Sequence, residues 1–235
     1  MRSGQLIDFL LPGRCLLCNG RSSAGLCSAC DRDLPAIKDA CDRCAIRLSG
    51  ALNEAREGRL CGACITAPPP YDHAIAALDY IFPTTVLIRR FKFSRSFAAG
   101  SVLANRLFGA IAARHDFDLV PVDAIIPVPL HPARLFFRVF NQAEVLARDL
   151  GRALGIRVSP RVLRRNRRTP SQTGLSAMGR RRNLAGAISA KPIKARRVVL
   201  VDDVMTTGAT VGECARALKR SGVEWVSVWV AARAS

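Results

Sequence analysis

The sequence has few acidic residues, few aromatic residues and no long apolar run, and these shortages narrow the kinds of protein it can be. It contains 18 Asp and Glu against 36 Lys and Arg in 235 residues, for a formal net charge of +18. No apolar run approaches the ~20 residues that a membrane-spanning helix needs, so we expect no membrane insertion. Aromatic residues make up only 6% of the chain, which argues against a surface that binds single strands mainly by base stacking.

Acidic residues are entirely missing between Asp149 and Asp202. That span carries fourteen Lys and Arg residues, whereas an ordinary solvated surface mixes both signs of charge. Such a segment favours binding of a small polyanion or of a nucleic acid. Because one small polyanion needs only a few bases, the excess favours nucleic acid as an additional partner. The candidate nucleic-acid contacts are Arg164, Arg165, Arg167, Arg168, Arg181 and Arg182.

Eight of the nine cysteines form four Cys-x-x-Cys pairs. A secreted disulfide framework could also use eight cysteines, but the repeated two-residue gap places two thiolates where a tetrahedral Zn²⁺ needs them. Two pairs make one Cys₄ site, so the pattern predicts two closed, structural zinc sites. Pairing in sequence order gives one site from Cys15, Cys18, Cys27 and Cys30 and another from Cys41, Cys44, Cys61 and Cys64. A crossed arrangement, first pair with third and second with fourth, is the alternative.

The composition changes at Ala67-Pro68-Pro69-Pro70, a stiff stretch that predicts a boundary between domains at 1–67 and 68–235. Strand and helix patterns alternate in the second domain, which is typical of a parallel sheet covered by helices on both faces. Residues 1–12 lack the apolar core and cleavage site of a signal peptide, so we expect a cytoplasmic protein. The predicted strands are 71–80, 124–129, 156–163, 198–201 and 225–231; the predicted helices are 85–114, in two parts meeting near 99–100, then 140–154 and 211–218.

The most informative segment is 198–210, Val-Val-Leu-Val-Asp-Asp-Val-Met-Thr-Thr-Gly-Ala-Thr. It predicts a buried strand, two adjacent carboxylates, a small-residue loop and the start of a helix, which together make an anion site from backbone N–H groups. Asp202 and Asp203 would repel a phosphate but can accept hydrogen bonds from a diol, so the pattern favours a pentose phosphate. No Gly-Lys-Ser/Thr follows, which excludes a Walker-type P-loop.

All thirteen positions of this segment resemble the signature of type I phosphoribosyltransferases, which bind 5-phosphoribosyl-1-pyrophosphate (PRPP). The resemblance implies that Asp202 and Asp203 hold the ribose hydroxyls at the catalytic centre, and that the loop after the strand at 124–129 receives the pyrophosphate. Because PRPP is so highly charged, we expect Mg²⁺ to accompany it. Arg180 is the candidate catalytic residue on a mobile lid, where its positive charge would stabilise the charge that develops on the pyrophosphate. The implied PRPP contacts also include Thr206, Thr207, Gly208, Ala209, Thr210, Pro129, Leu130, His131 and Arg134.

Nearly the whole chain resembles the ComF family. The resemblance is carried by the four cysteine pairs and then, in order, by Ile-Pro-Val-Pro-Leu-His, Phe-Asn-Gln, Arg-Thr-x-x-Gln-x-x-Leu, Arg-x-x-Asn and the segment at 200–210. It implies a type I phosphoribosyltransferase fold preceded by a small double zinc ribbon. It also implies a role in DNA uptake during natural transformation, with single-stranded DNA and other competence proteins as partners. Val139 and Gly179 stand where the family usually has Gly and Glu, and both departures bear on catalysis rather than on PRPP binding.

Three functions follow from these features. The first is a PRPP-binding, phosphoribosyltransferase-like protein that handles DNA. The second is a non-catalytic, PRPP-sensing DNA-binding module, and the third is a nucleotide-salvage phosphoribosyltransferase unrelated to DNA. No segment indicates a nucleobase specificity, so the sequence names no acceptor. DNA affinity would separate the first two from the third.

Overall fold

A four-stranded parallel sheet, in the order β1-β6-β5-β2, forms the centre of the fold. The structure is a computed structural model that describes residues 13–48, 59–114, 121–130, 140–166 and 186–234. A separate antiparallel pair is made by β3 and β4. The strands are β1 His73–Asp79, β2 Ala124–Pro127, β3 Leu163–Arg165, β4 Ile188–Ala190, β5 Arg197–Met205 and β6 Trp225–Arg233.

Helices cover both faces of the sheet, because the strands are apolar on both sides. Along β5, Val199 and Val201 pack in one apolar core with α4 and α5, whereas Val198 and Leu200 pack in a second core with α6. This alternation with a period of two is what a strand buried on both faces requires. The helices are α1 Ser28–Arg32, α2 Gly62–Thr66, α3 Thr84–Phe93, α4 Phe97–Ala112, α5 Gln142–Leu154 and α6 Ala209–Arg220.

The junction between α3 and α4 lies at 94–96, so the predicted junction near 99–100 is wrong. Arg95 has a positive φ of 52°, which ends α3, and the Ser96 hydroxyl accepts a hydrogen bond from the Ala99 N–H at 3.3 Å, which caps α4. Gly100 lies inside α4, where a Cβ would come within 2.7 Å of the Phe91 ring. The glycine that suggested a break therefore permits two helices to pack closely.

The predicted strand at 156–163 is also wrong in extent. Only Val158 forms a bridge there, parallel to Ile125 of β2, and the strand that follows begins at Leu163. The other predicted strands and helices match observed ones to within a few residues. Within the described residues, no helix is both long and apolar enough to cross a bilayer.

The cysteine-rich segment extends the sheet at its β1 edge. The Ile37 N–H donates to the Ala77 carbonyl at 3.0 Å, and the Asp79 N–H donates to the Pro35 carbonyl at 2.9 Å. The Arg47 guanidinium adds an ion pair with Asp79, its Nε lying 2.8 Å from Oδ2. These contacts hold the cysteine-rich segment directly against the sheet, in addition to its connection through the proline-rich stretch at 67–70.

Candidate active site and metal centres

The phosphate loop, residues 206–208, connects the end of β5 to the start of α6. Gly208 is in the left-handed region with φ of +72°, and a Cβ there would lie 3.0 Å from the Tyr71 Oη. Glycine adopts this conformation at no steric cost, and its lack of a Cβ leaves room for the Tyr71 hydroxyl. A cavity of about 80 Å³ lies against the loop, lined by Asp202 and by residues 204–211. The arrangement is suited to a phosphate group held by backbone N–H groups at a helix start.

The two acids lie on β5 immediately before this loop. Asp203 is 7% exposed, and its Oδ2 forms an ion pair with the Lys92 Nζ at 2.8 Å. The Asp203 N–H donates to the Asp202 Oδ1 at 2.9 Å. A buried carboxylate with a cation beside it is compensated, whereas one without a partner would be strongly destabilising.

Asp202 is the electrostatically unusual member of the pair. Burial and the neighbouring charge of Asp203 together raise the pKa of its carboxyl to about 8, although the Lys92 charge and the hydrogen bond from the Asp203 N–H act to lower it. At neutral pH Asp202 therefore holds a proton in the ligand-free protein. Perturbed carboxyl groups of this kind concentrate at functional sites.

Lys92 is a candidate site residue that the sequence did not reveal. It lies near the end of α3, a helix that sequence periodicity placed correctly but with no link to the acids. The contact joins residues 111 positions apart, and no local pattern encodes it. The available signal was a lysine between two phenylalanines, Phe91-Lys92-Phe93, in a helix whose Phe91 is buried.

The predicted pyrophosphate loop begins beside the acid pair, because β2 is hydrogen-bonded to β5. The Val128 N–H donates to the Val201 carbonyl at 2.9 Å, which places Pro129 and Leu130 next to β5. Asn141 caps α5 by accepting from the Ala143 N–H at 3.1 Å, and its Nδ2 donates to the Val128 carbonyl at 3.1 Å. The other two predicted pyrophosphate contacts, His131 and Arg134, lie outside the described residues.

The predicted lid and DNA contacts are only partly within the described residues. Arg164 and Arg165 are consecutive on β3, so they point to opposite faces: Arg164 is exposed and Arg165 is buried at 6% exposure. Arg165 therefore does not offer its side chain to a partner at the surface, contrary to the expectation for it. The remaining candidates lie outside the described residues: Arg167, Arg168, Arg180, Arg181 and Arg182.

Eight cysteine sulfurs form two groups of four, each group within 4.8 Å, and the pairs combine in sequence order. All of these cysteines are free thiols. The Sγ atoms of Cys18 and Cys27 are 3.7 Å apart, as are those of Cys44 and Cys61. Four sulfurs at ~2.3 Å from a tetrahedral Zn²⁺ lie about 3.8 Å from one another, so the thiols fit this ion. We refer to the groups containing Cys15 and Cys41 as the first and second zinc sites.

Comparisons with known proteins match both parts of the chain. A double zinc ribbon domain matches residues 6–67, and a phosphoribosyl transferase domain matches residues 139–235. Competence protein F of Haemophilus influenzae is 37% identical over 229 residues, covering 94% of this chain and 97% of that protein. The DNA utilization protein YhgH of Escherichia coli strain K12 is 36% identical over 229 residues, covering 95% and 98%. The matched ribbon identifies the ion for the two cysteine clusters as zinc.

Proposed function

From the premise that this chain belongs to the ComF family of double-zinc-ribbon, phosphoribosyltransferase-domain proteins, we propose that it binds PRPP at the carboxyl ends of β2 and β5. The 5′-phosphate lies on residues 206–210, the ribose diol on Asp202 and Asp203, and the pyrophosphate beside residues 127–134. The observation that carries this proposal is the acid pair, with Asp203 buried and Asp202 half-buried, on the strand that leads into the phosphate loop. A ligand with a diol next to a phosphate can place its diol on the acids and its phosphate on the loop at the same time.

The two acids would bind the ribose hydroxyls, and the loops after β5 and β2 would bind the 5′-phosphate and the pyrophosphate. Mg²⁺ bound with PRPP would supply charge neutralisation for the pyrophosphate. In a transfer reaction the bond from ribose C1 to pyrophosphate breaks, and a bond from C1 to the acceptor forms while the acceptor loses a proton. The carboxylate of Asp203, held by Lys92, would fix the ribose and stabilise positive charge developing on the ring.

We propose DNA, single-stranded in particular, as the second partner. The relatives are named for competence and DNA utilization, and this chain adds a second acid-free basic stretch at 80–115 with six Lys and Arg residues. In that stretch Phe93 and Phe97 are 68% and 60% exposed, on either side of the exposed Arg95. The low overall aromatic content argues against binding by base stacking, but these two rings lie at the surface among Lys and Arg side chains, where nucleobases could stack on them. The protein would act in the cytoplasm with other competence or DNA-uptake proteins.

Calorimetric titration with PRPP and Mg²⁺ tests the first proposal. The double variant Asp202→Asn/Asp203→Asn should lose binding while keeping its thermal unfolding transition. Glu224→Gln is the matched control, because Glu224 is an exposed acid whose partner is Arg196. Equal PRPP affinity in all three proteins would refute the assignment of the diol to the acid pair.

Titration with an oligothymidylate at several salt concentrations tests the second proposal. The logarithm of the association constant should fall linearly with the logarithm of salt concentration, by about 0.7 for each phosphate contacted. Phe93→Ala/Phe97→Ala should weaken binding without changing that slope, since stacking is not ionic. No DNA affinity together with turnover of a free nucleobase would favour nucleotide salvage. PRPP and DNA binding without any turnover would favour a sensing module.

A further inference from the structure

One arginine connects the second zinc site to the phosphate loop. Arg233, at the end of β6, is 9% exposed, and its Nε donates to the carbonyl of the zinc ligand Cys44 at 3.1 Å. Its Nη1 donates to the Met205 carbonyl at 3.3 Å and to the Thr206 carbonyl. The guanidinium has several donors in a fixed plane, so it can hold these carbonyls in one arrangement.

The carbonyls of Met205, at the end of β5, and of Thr206, in the loop, determine where the following N–H groups point. A trans peptide is planar, so its N–H points away from its C=O. Arg233 holds the carbonyls of the peptides that contribute the N–H groups of Thr206 and Thr207. Drawing both carbonyls toward the guanidinium therefore turns both N–H groups to the opposite side, where a phosphate would accept hydrogen bonds from them.

Residues beside the second zinc site also pack against the loop and the first turn of α6. The Tyr71 Oη is 3.0 Å from where a Gly208 Cβ would lie, and the Pro70 Cγ is 3.4 Å from where a Gly212 Cβ would lie. Ala45, next to Cys44, is completely buried in the apolar core that contains Met205 and Val211. The loop therefore rests on this site through packing as well as through Arg233.

The first zinc site packs elsewhere. Cys15 belongs to the other apolar core, with Val102 and Leu103 of α4. Arg106 of α4 donates to the Asp31 carbonyl at 2.7 Å and forms an ion pair with its carboxylate. Arg106 thus attaches the first site to α4 much as Arg233 attaches the second site to the phosphate loop.

We propose that the second zinc site is a structural support of the phosphate loop, with Arg233 as the positioning residue, so that zinc bound there sets the affinity for the phosphate of the ligand. The inference rests on the proposed PRPP site. Without zinc, the knuckle that presents the Cys44 carbonyl loses its cross-link, and Arg233 loses the acceptor that holds its Nε. The loop N–H groups then sample orientations away from the ligand.

Two readouts on the full-length protein test this inference: PRPP affinity by calorimetry, and deuterium exchange of residues 204–212 without ligand. Arg233→Gln should weaken PRPP binding by roughly tenfold or more, the range for a lost charged hydrogen bond. It should also speed exchange of the loop. Arg233→Lys should recover part of both effects, because lysine keeps the charge and can reach one carbonyl.

Cys61→Ser, which removes a ligand of the second zinc site, should lower bound zinc by one ion and produce the same two effects. Arg106→Gln is the matched control and should leave loop exchange and PRPP affinity unchanged. Unchanged exchange at 204–212 in both Arg233→Gln and Cys61→Ser, or the same change in Arg106→Gln, would overturn the inference. Failure of the unaltered protein to bind PRPP would instead refute the proposed function, and the exchange measurement would still decide the coupling.

Discussion

Asp202 should make PRPP binding depend on pH. Burial and the charge of Asp203 raise the pKa of this carboxyl to about 8, whereas an ordinary aspartate titrates near ~4. The ligand-free protein therefore carries a proton on Asp202 throughout the neutral range. A ribose hydroxyl donates its hydrogen bond to a carboxylate, so the proton must leave before the diol binds well. PRPP affinity should accordingly rise as the pH increases toward 8 and level off above it.

The size of the effect follows from the deprotonated fraction of Asp202. With a pKa of about 8, that fraction is roughly 1% at pH 6 and roughly one half at pH 8. If only the deprotonated form binds, the association constant should rise about fifty-fold over this interval. Calorimetric titrations in matched ionic strength measure it directly, and Asp202→Asn, which cannot form the carboxylate, should bind weakly at both pH values.

Two neighbouring substitutions should move the midpoint of this pH profile in opposite directions. Lys92→Gln removes the cation that lowers the pKa of Asp202, so the midpoint should rise. Asp203→Asn removes the like charge, so the midpoint should fall even though the affinity itself also decreases. A flat profile in the unaltered protein, or shifts of the same sign in both variants, would refute the electrostatic account of the acid pair.

The same carboxyl should affect stability without any ligand. Because its folded-state pKa is raised, the folded protein binds a proton that the unfolded chain has already released between pH ~4 and 8. Unfolding then takes less free energy as the pH rises through that interval. The thermal midpoint should fall from pH 5 to pH 8 in the unaltered protein and fall less in Asp202→Asn.

Four further substitutions test the architecture around the site. In α4, Gly109→Ala should stabilise the fold by about 0.5–1 kcal/mol, since nothing lies within 4 Å of the added Cβ. Gly100→Ala should destabilise it, since the added Cβ would lie 2.7 Å from the Phe91 ring. Thermal unfolding should therefore give a higher midpoint for the first variant and a lower midpoint for the second. Asn141→Ala removes the cap of α5 and should cost about 1 kcal/mol in denaturant unfolding, and no loss would mean that solvent replaces the cap. Elemental analysis should find two zinc ions per chain and one in Cys18→Ser, and an unchanged count in that variant would contradict four-cysteine coordination.

The sequence predicts those parts of the site that depend on neighbouring residues in the chain. The strand, the acids and the loop at 198–210 follow from local periodicity and small residues, and the cysteine pairs follow from a two-residue spacing. Lys92 and Arg233 escaped prediction because each acts on a partner that only the fold brings close. Gly100 was misjudged for the same reason, since its role depends on Phe91 of another helix.

The two proposed ligands are both polyanions, and this determines the sign of the coupling that electrostatics alone would produce. A bound strand on the basic surfaces would reduce the positive potential that attracts PRPP, so each ligand should weaken the other, and added salt should reduce the effect. Mutual strengthening would instead need a conformational link, since a ligand shifts an equilibrium only through its differential affinity for two states. Residues 206–208 are suited to such a link, because their N–H orientation depends on Arg233 and the second zinc site. The salt dependence of the coupling therefore separates a shared electrostatic field from a connection through the loop.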